Sequence, residues 1–339
     1  MMHIPDGYLG PQTYAVLDAA IVPIWMIAGA RIKKALKARQ VPLMALAAAF
    51  SFVIMMFNVP VLGGSTGHAV GAVLIAILLG PWAAAVAVSI ALVVQALVFA
   101  DGGITAIGAN VVNMAVIMPF TGFYLYRLVA GDRPGYGRRV AAAGIGAYVG
   151  IVAASIAAGV EFGLQPLLAH TASGQPLYAP YPLSVAVPAM ALEHLLFFGP
   201  LEAVVTMGIV AVLSRQDSAL LEMKPAAKPL RWLWTALAGL ILLTPIGVLA
   251  PGTAWGEWSA AQLRSTLGYV PNGLGKVGSL WTASMPAYAP PFIANPLVGY
   301  LIAAVLGSAL VVGVAWAVGK LLSRKDGGPE PTDPPAASA

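Results

Sequence analysis

The sequence predicts an all-α membrane protein: a bundle of about nine transmembrane helices, with the N-terminus outside and the C-terminus cytoplasmic. Three observations predict it. Hydrophobic residues make up 59% of the 339-residue chain and charged residues only 9%, whereas a soluble domain carries roughly 25% charged residues. Mean hydropathy is +0.85. Apolar runs approaching the ~20 residues that cross a bilayer recur along the chain, and basic residues cluster between alternate runs.

Spans are expected over residues 14–30, 42–59, 68–79, 81–100, 108–128, 140–160, 184–213, 232–249 and 296–318. The third is short, so it is tilted, partly interfacial, or extended at one end. Gly80-Pro81 leaves only a tight turn before the fourth. Pro188 and Pro200 kink or shorten the long seventh. With the N-terminus outside, of the 18 Lys and Arg residues only Arg264 and Lys276 escape the cytoplasmic loops and tail, as the positive-inside rule requires. Adding or dropping one middle span would destroy that segregation. The same assignment puts His3, the glycine-rich turn at 63–68 and Asp101-Gly102-Gly103 on the outer face.

Composition divides the chain further. Residues 1–214 form a membrane domain, and 215–230 a polar, proline-bearing cytoplasmic linker. Residues 231–325 form a module of two spans joined by a long outer segment. The proline- and alanine-rich tail, 326–339, is expected to be disordered. The first residues are no secretory signal, since they lack a basic region and Pro5-Asp6-Gly7 is turn chemistry. There is no cysteine, so a bound metal takes nitrogen or oxygen ligands, or weakly a methionine sulfur. The net charge of +5 is scattered over short loops and does not indicate nucleic acid.

Two histidines carry the chemistry. His3 lies in Met1-Met2-His3-Ile4-Pro5-Asp6-Gly7-Tyr8, and His68 closes Gly63-Gly64-Ser65-Thr66-Gly67-His68. A terminal amine, adjacent amide nitrogens and an imidazole within three residues chelate a divalent transition metal in a near-planar array, a geometry that favours Ni(II) or Cu(II). Two registers are open. From Met1, the amine, two amides and His3 already give four nitrogens. From Met2, the amine, one amide and His3 give three, and His68 completes four. Ser65 and Thr66 are placed to cap a helix and orient the imidazole. Asn110 and Asn113 share a helix face, either bonding between helices or lining a cavity. Asn58 is a similar case, and Asp101 ends a helix or contacts the metal-binding groups. Glu193, His194 and Glu202 are intramembrane ionisable residues, open to structural pairing, contact with a partner subunit, or an ion relay. His170 is read as solvated. There is no phosphate-binding Gly-x-x-x-x-Gly-Lys-Ser/Thr loop, no His-Glu-x-x-His and no Gly-x-Ser-x-Gly, so the chain is expected neither to hydrolyse ATP alone nor to be an enzyme.

Residues 2–9, MHIPDGYL, resemble the cobalt/nickel CbiM/NikM family. So do residues 63–68, GGSTGH, together with QALVFADGG at 95–103 and GANVVNMA at 108–115. This family comprises the substrate-specific components of energy-coupling-factor transporters. The resemblance implies capture of Co(II) or Ni(II) on the outer face as transported substrate, with no permanent cofactor. It implies Met2, His3 and His68 as ligands. It also implies a transmembrane coupling protein and two ATP-binding cassette ATPases as partners in the cell membrane. Met1 departs from the family pattern by placing His third. Val270-Pro271-Asn272-Gly273-Leu274-Gly275 resembles the Pro-Asp-Gly-Leu-Glu (PDGLE) domain fused to such components, with Asn272 in place of Asp and Gly275 in place of Glu. The competing reading is a stand-alone proton-coupled secondary metal transporter using Glu193, His194 and Glu202. A membrane enzyme or metallocofactor assembly factor would need a reactive group that the sequence lacks.

Overall fold

A computed structural model describes residues 3–61, 64–250, 252–277 and 280–323. Met2, Gly63 and the 326–339 tail lie outside the described residues. The helices in chain order are α1 (Pro11–Ala35), α2 (Val41–Met55), α3 (Ala72–Leu79), α4 (Pro81–Val94), α5 (Ile107–Asn110), α6 (Met118–Ala130), α7 (Tyr136–Leu168), α8 (Leu183–Glu193), α9 (Gly199–Gln216), α10 (Arg231–Leu243), α11 (Ala260–Leu267), α12 (Asn272–Val277) and α13 (Pro296–Leu322). Three π-helical turns prolong or join them: Gln95–Phe99 after α4, Val111–Ile117 between α5 and α6, and His194–Phe198 between α8 and α9. The last joins α8 and α9 into the single long seventh span, 183–216, in spite of Pro188 and Pro200.

Among the described residues, eight helical stretches are long and apolar enough to cross a bilayer. They match every expected span except the third. There the helix is only α3, eight residues or about 12 Å long. It is buried against α2, α4, α6, α7 and α9. Irregular backbone at membrane depth is tolerated where protein surrounds it, which is why the chain before α3 dispenses with a helix. Val59–Pro60 pairs antiparallel with Thr66–Gly67 to close a small hairpin, and residues 68–71 then run without helix or strand into α3. Gly71 caps α3 at φ 74°, a left-handed conformation that side chains resist.

Close helix approach depends on small residues. The α6–α7 pair is the clearest case: a Cβ on Gly146 would lie 2.5 Å from the carbonyl oxygen of Gly122. α13 packs along α2 and also touches α4, so the C-terminal spans are built into the bundle. Arg31, Lys34 and Lys37 line a cleft with Gly80 and Met223, and Arg127, Arg133 and Arg139 gather beside the same Met223. Basic loops thus collect at one end of the bundle, as the charge pattern predicts. His3, His68 and Asp101 lie at the other end, the length of α4 away. The 215–230 stretch is ordered: Asp217 accepts the amides of Ala227 and Lys228, and Leu220 and Leu221 are buried.

Gly146→Ala is expected to cost about 1–3 kcal/mol through overpacking. Gly208→Ala, where a Cβ meets nothing within 4 Å, is expected to be neutral or to stabilise by up to about 1 kcal/mol. Thermal unfolding in detergent separates the two.

Candidate metal centre

The N-terminal segment is held by its own backbone. The Ile4 amide donates to the Asn110 side-chain oxygen at 2.8 Å, and the Asn110 amide returns a bond to the Ile4 carbonyl at 3.2 Å. Gly103 also donates to that carbonyl. The Asp6 carboxylate accepts from the amides of Ile104 and Thr105 and from the Thr105 hydroxyl. Gly7 sits at φ 84°, and a Cβ there would lie 2.7 Å from Leu274 Cα. Tyr8 is buried and its hydroxyl donates to the Trp258 carbonyl at 2.5 Å. Ile4 and Asp6 are therefore held by residues 103–110, and Gly7 and Tyr8 by the outer segment after α10, and together these contacts fix the direction in which His3 points.

His3 is 1% exposed and His68 is 4% exposed. Their ring centroids are 5.2 Å apart and tilted by 60°. Two residues 65 positions apart thus share one buried compartment. The Nδ1–H of His68 donates to the Ala69 carbonyl at 3.0 Å. That assignment leaves a lone pair on His68 Nε2, which is buried and has no hydrogen-bond partner; His3 Nε2 is in the same condition. An unpaired buried polar atom costs about 1–3 kcal/mol, and two facing imidazoles with unused nitrogens form a donor set that suits a divalent transition metal. Among the described residues no three His, Asp or Glu side chains converge to cage an ion. Backbone nitrogens, or groups beyond those residues, have to complete a coordination shell.

Asp101 organises the other side of His3. Its Oδ1 accepts from His3 Nδ1 at 2.5 Å. Its Oδ2 accepts from the Tyr288 hydroxyl at 2.5 Å and from Gln95 Nε2 at 3.3 Å. The π-helical turn after α4 and the left-handed Ala100 bring Asp101 back beneath Gln95, whose carbonyl takes the Asp101 amide. Burial disfavours the imidazolium of His3, but the Asp101 charge and hydrogen bond outweigh it and lift its pKa above the ordinary value. Burial likewise works against the Asp101 carboxylate, yet His3 and Tyr288 hold its pKa below the usual range.

The other sequence candidates fall out differently. Asn110 positions Ile4. Asn113 does not face the histidines: it donates to Glu161 at 2.8 Å within the bundle. Asn58 keeps a buried, unpartnered oxygen, apart from any contact with His3 or His68 shown by hydrogen bonding. Ser65 accepts the Trp255 amide at 3.1 Å, and Thr66 is buried in the hairpin. His170 is exposed. Glu202 has a structural partner, which is neither the linker nor another subunit. Its carboxylate accepts the amides of Val70 and Gly71 at 2.7 and 2.9 Å, clamping the segment that follows His68 to α9. His194 Nδ1 is spent on the Met190 carbonyl. No hydrogen bond joins Glu193, His194 and Glu202 among the described residues.

Three contributors were not legible as site residues. Tyr288 reaches Asp101, Trp255 reaches Ser65, and Glu257 presents an Oε1 without a partner. Burial pushes the Glu257 pKa up to about 7, and the charges of Asp101 and His3 act on it from nearby. All three come from the outer segment between α10 and α13. No spacing signal joins that segment to residues two hundred positions earlier.

The chain resembles known metal-transport proteins along most of its length. The profile of a family described as the cobalt uptake substrate-specific transmembrane region, CbiM, matches residues 3–220, and that of the PDGLE domain matches residues 230–324. The fused nickel transport protein NikMN of Rhodobacter capsulatus is 48% identical, over 96% of this chain and all of that protein. The cobalt transport protein CbiM of Geobacter sulfurreducens is 31% identical, over 76% of this chain and 74% of its own length. A crystal structure of a transition metal transporter superposes with a TM-score of 0.59 at 52% identity, covering 63% of this chain and 92% of that one.

Glu202→Gln tests the clamp. One amide keeps an acceptor while the other meets an NH2 group. The loss is expected to be about 1.5–3 kcal/mol, the range for hydrogen bonds to charged groups. Hydrogen exchange at Val70 and Gly71 is expected to quicken, while exchange in α6 stays near wild type.

Proposed function

The chain belongs to the CbiM family of cobalt-uptake substrate-specific transmembrane proteins and carries a fused PDGLE domain, and from that premise we propose that it is the substrate-binding membrane component of an ATP-driven Co(II) or Ni(II) uptake system. The observation that carries this reading is the pair of buried imidazoles, His3 and His68, 98 and 33 residues before Asp101 in sequence yet gathered at one end of the bundle, with His68 Nε2 unpaired and His3 Nδ1 held only by the Asp101 carboxylate. The cation is captured on the outer face. Its donors are the amine and backbone nitrogens at Met2 and His3, the His3 imidazole, and His68 Nε2. Met2 lies outside the described residues, so its part in the set rests on the chelate chemistry of an N-terminal His segment and on the family resemblance. Chelation through the His3 backbone nitrogen closes a ring with the imidazole only through Nδ1, the nitrogen that Asp101 now holds. Loading therefore replaces a proton at Nδ1 by the metal, as ligand deprotonation requires.

Energy comes from elsewhere. The chain has no phosphate-binding loop, and a transmembrane coupling protein with two ATP-binding cassette ATPases is the expected source of work. Reorientation of the loaded component would open the site to the cytoplasm. The basic end of the bundle is then the cytoplasmic end. The rival reading, proton-coupled transport through Glu193, His194 and Glu202, gains no support, because Glu202 is committed to two backbone amides and His194 to the Met190 carbonyl.

His3→Ala and His68→Ala are each expected to weaken Co(II) or Ni(II) binding more than about a hundredfold, exceeding the 10–100-fold typical of outer-sphere changes. The donor set takes the amine of a chain that starts at Met2, and a chain that retains Met1, or carries any other residue before Met2, is expected to show the same loss. Metal analysis of purified protein by equilibrium dialysis checks all three, and unchanged affinity in His68→Ala contradicts the assignment. Affinity is also expected to fall on acidification. The His3 pKa is raised, so the proton competes from a pH above the ordinary histidine range downward, by about tenfold per pH unit for one displaced proton.

A further inference from the structure

We propose that Glu257, in the outer segment of the PDGLE module, is the positioning carboxylate of the loaded site, accepting the N–H of the His3 ring nitrogen that faces away from the cation. The inference rests on the reading that His3 ligates through Nδ1, and it adds a group that the module supplies.

A chelate closed through the His3 backbone nitrogen and Nδ1 leaves the ring one tautomer, with its hydrogen on Nε2. Ligand histidines almost always donate that second N–H to a carboxylate, a carbonyl or water. Asp101 faces Nδ1, the nitrogen that passes to the metal. His68 Nε2 is itself a ligand. His3 Nε2 is buried without a partner, so its acceptor has to come from elsewhere. Among the described residues, Glu193, Asp217 and Glu257 each keep a buried carboxylate oxygen that nothing donates to. Asp217 is at the basic end, bonded to Ala227 and Lys228. Of the three, Glu257 is the one whose charge acts on His3, and His3 acts on it in return. The amide oxygens of Asn58 and Gln95 are also unpartnered, but a carboxylate accepts more strongly. Gln95 is moreover bonded to Asp101 Oδ2 and to the Tyr288 hydroxyl, behind Asp101 on the Nδ1 side.

The backbone around Glu257 is tied to both histidine-bearing arms. The Trp255 amide donates at 3.1 Å to Ser65, in the turn that ends at His68. The Trp258 carbonyl accepts at 2.5 Å from the hydroxyl of Tyr8, on the segment that begins at His3. Glu257 lies between these two ties, and its own amide closes a turn onto the Ala254 carbonyl. Gly256 has φ 86°, and a Cβ there would lie 2.8 Å from the Phe162 ring. Phe162 packs edge-on against both Tyr8 and Trp255, and Trp255 edge-on against Trp258. The turn is therefore wedged in aromatic rings and has little freedom. A carboxylate oxygen buried without a donor is costly. The Nε2–H of a loaded His3 is the donor that relieves it, so the two orphaned atoms account for each other.

The test uses the chain beginning at Met2, in detergent, labelled with 15N-histidine and loaded with NiCl2. A planar nitrogen shell leaves Ni(II) diamagnetic, so ring N–H signals can be read by NMR. His3 is told from His68 by its tautomer, since His68 keeps its hydrogen on Nδ1, bonded to the Ala69 carbonyl. The wild type is expected to show a downfield Nε2–H that exchanges slowly with solvent. Glu257→Ala is expected to lower nickel affinity about 10–100-fold. Reloaded at high nickel, it is expected to lose the downfield shift and the slow exchange, while the His68 Nδ1–H stays in place. Glu257→Gln keeps a neutral acceptor of the same length. Its affinity is expected to fall between the two, with the Nε2–H signal moved part of the way. Glu222→Gln, at an exposed residue paired with Lys224, is expected to change neither readout. An Nε2–H signal that is unmoved in both Glu257 variants overturns the proposal, whatever their affinity. So does a signal lost in Asp101→Asn and kept in Glu257→Ala, because Asp101 would then be the acceptor. A wild-type chain that ligates nickel through His3 Nε2, or a His68→Ala chain that binds as wild type, overturns instead the underlying reading of the site.

Discussion

Everything at the outer end of this bundle depends on how residues 4–8 are tied to residues 101–110. Those ties are mainly hydrogen bonds between backbone on one side and a side chain on the other: the Ile4 backbone to the Asn110 side chain and the Asp6 carboxylate to the amides of Ile104 and Thr105, with one backbone pair between Gly103 and Ile4. An N-terminal segment ordinarily frays. Here it is buried, and its burial fixes His3 as firmly as a core residue. The imidazole then meets His68 and Asp101 with a narrow choice of orientation. The proposed metal site takes its preorganisation from this strap, and a change anywhere along it is expected to be felt at His3.

The second constraint is the cost of bare backbone inside a membrane. To bring His68 into the bundle the chain abandons helix between Met55 and Ala72, and each freed polar group needs a partner. Ser51 donates to the Val70 carbonyl, Glu202 accepts Val70 and Gly71, and the small hairpin pairs residues 59–60 with 66–67. Glu202 resolves two problems together: an intramembrane carboxylate finds donors, and the start of α3 finds an anion at its positive end. The outer segment of the PDGLE module closes over the assembly through Trp255 on Ser65, Trp258 on Tyr8 and Tyr288 on Asp101. The module is therefore part of the site's wall.

Hydropathy and basic-residue placement revealed the bundle because a bilayer imposes length and charge rules on each span separately. They failed at the third span for the same reason. The short apolar run at 68–79 is buried by protein on every side, and no rule of bilayer length applies to it. His3, His68, Asp101 and Asn110 were legible because each stands in a short polar motif on an apolar background. Asn113 was misleading: sharing a helix face with Asn110 put it on the same side in principle, but a π-helical turn begins between them at Val111 and sends its amide to Glu161. Tyr288 and the role of Glu202 were illegible, since their meaning lies in contacts across 187 and 131 or more positions. The substitutions Asn272 and Gly275 in the PDGLE-like motif lie in α12, whose Gly273 and Leu274 sit against Gly7. Within the module, the carboxylate whose charge acts on His3 is instead Glu257.

The central claim is that one cation is held by nitrogens of two imidazoles drawn from opposite ends of the first seventy residues. X-ray absorption at the metal edge of the nickel- or cobalt-loaded chain examines it directly. The account predicts a first shell of nitrogen with the multiple-scattering pattern of two imidazole rings, reduced to one ring in His68→Ala protein reloaded at high metal concentration. A shell of oxygen donors, or a spectrum without imidazole scattering, would contradict it.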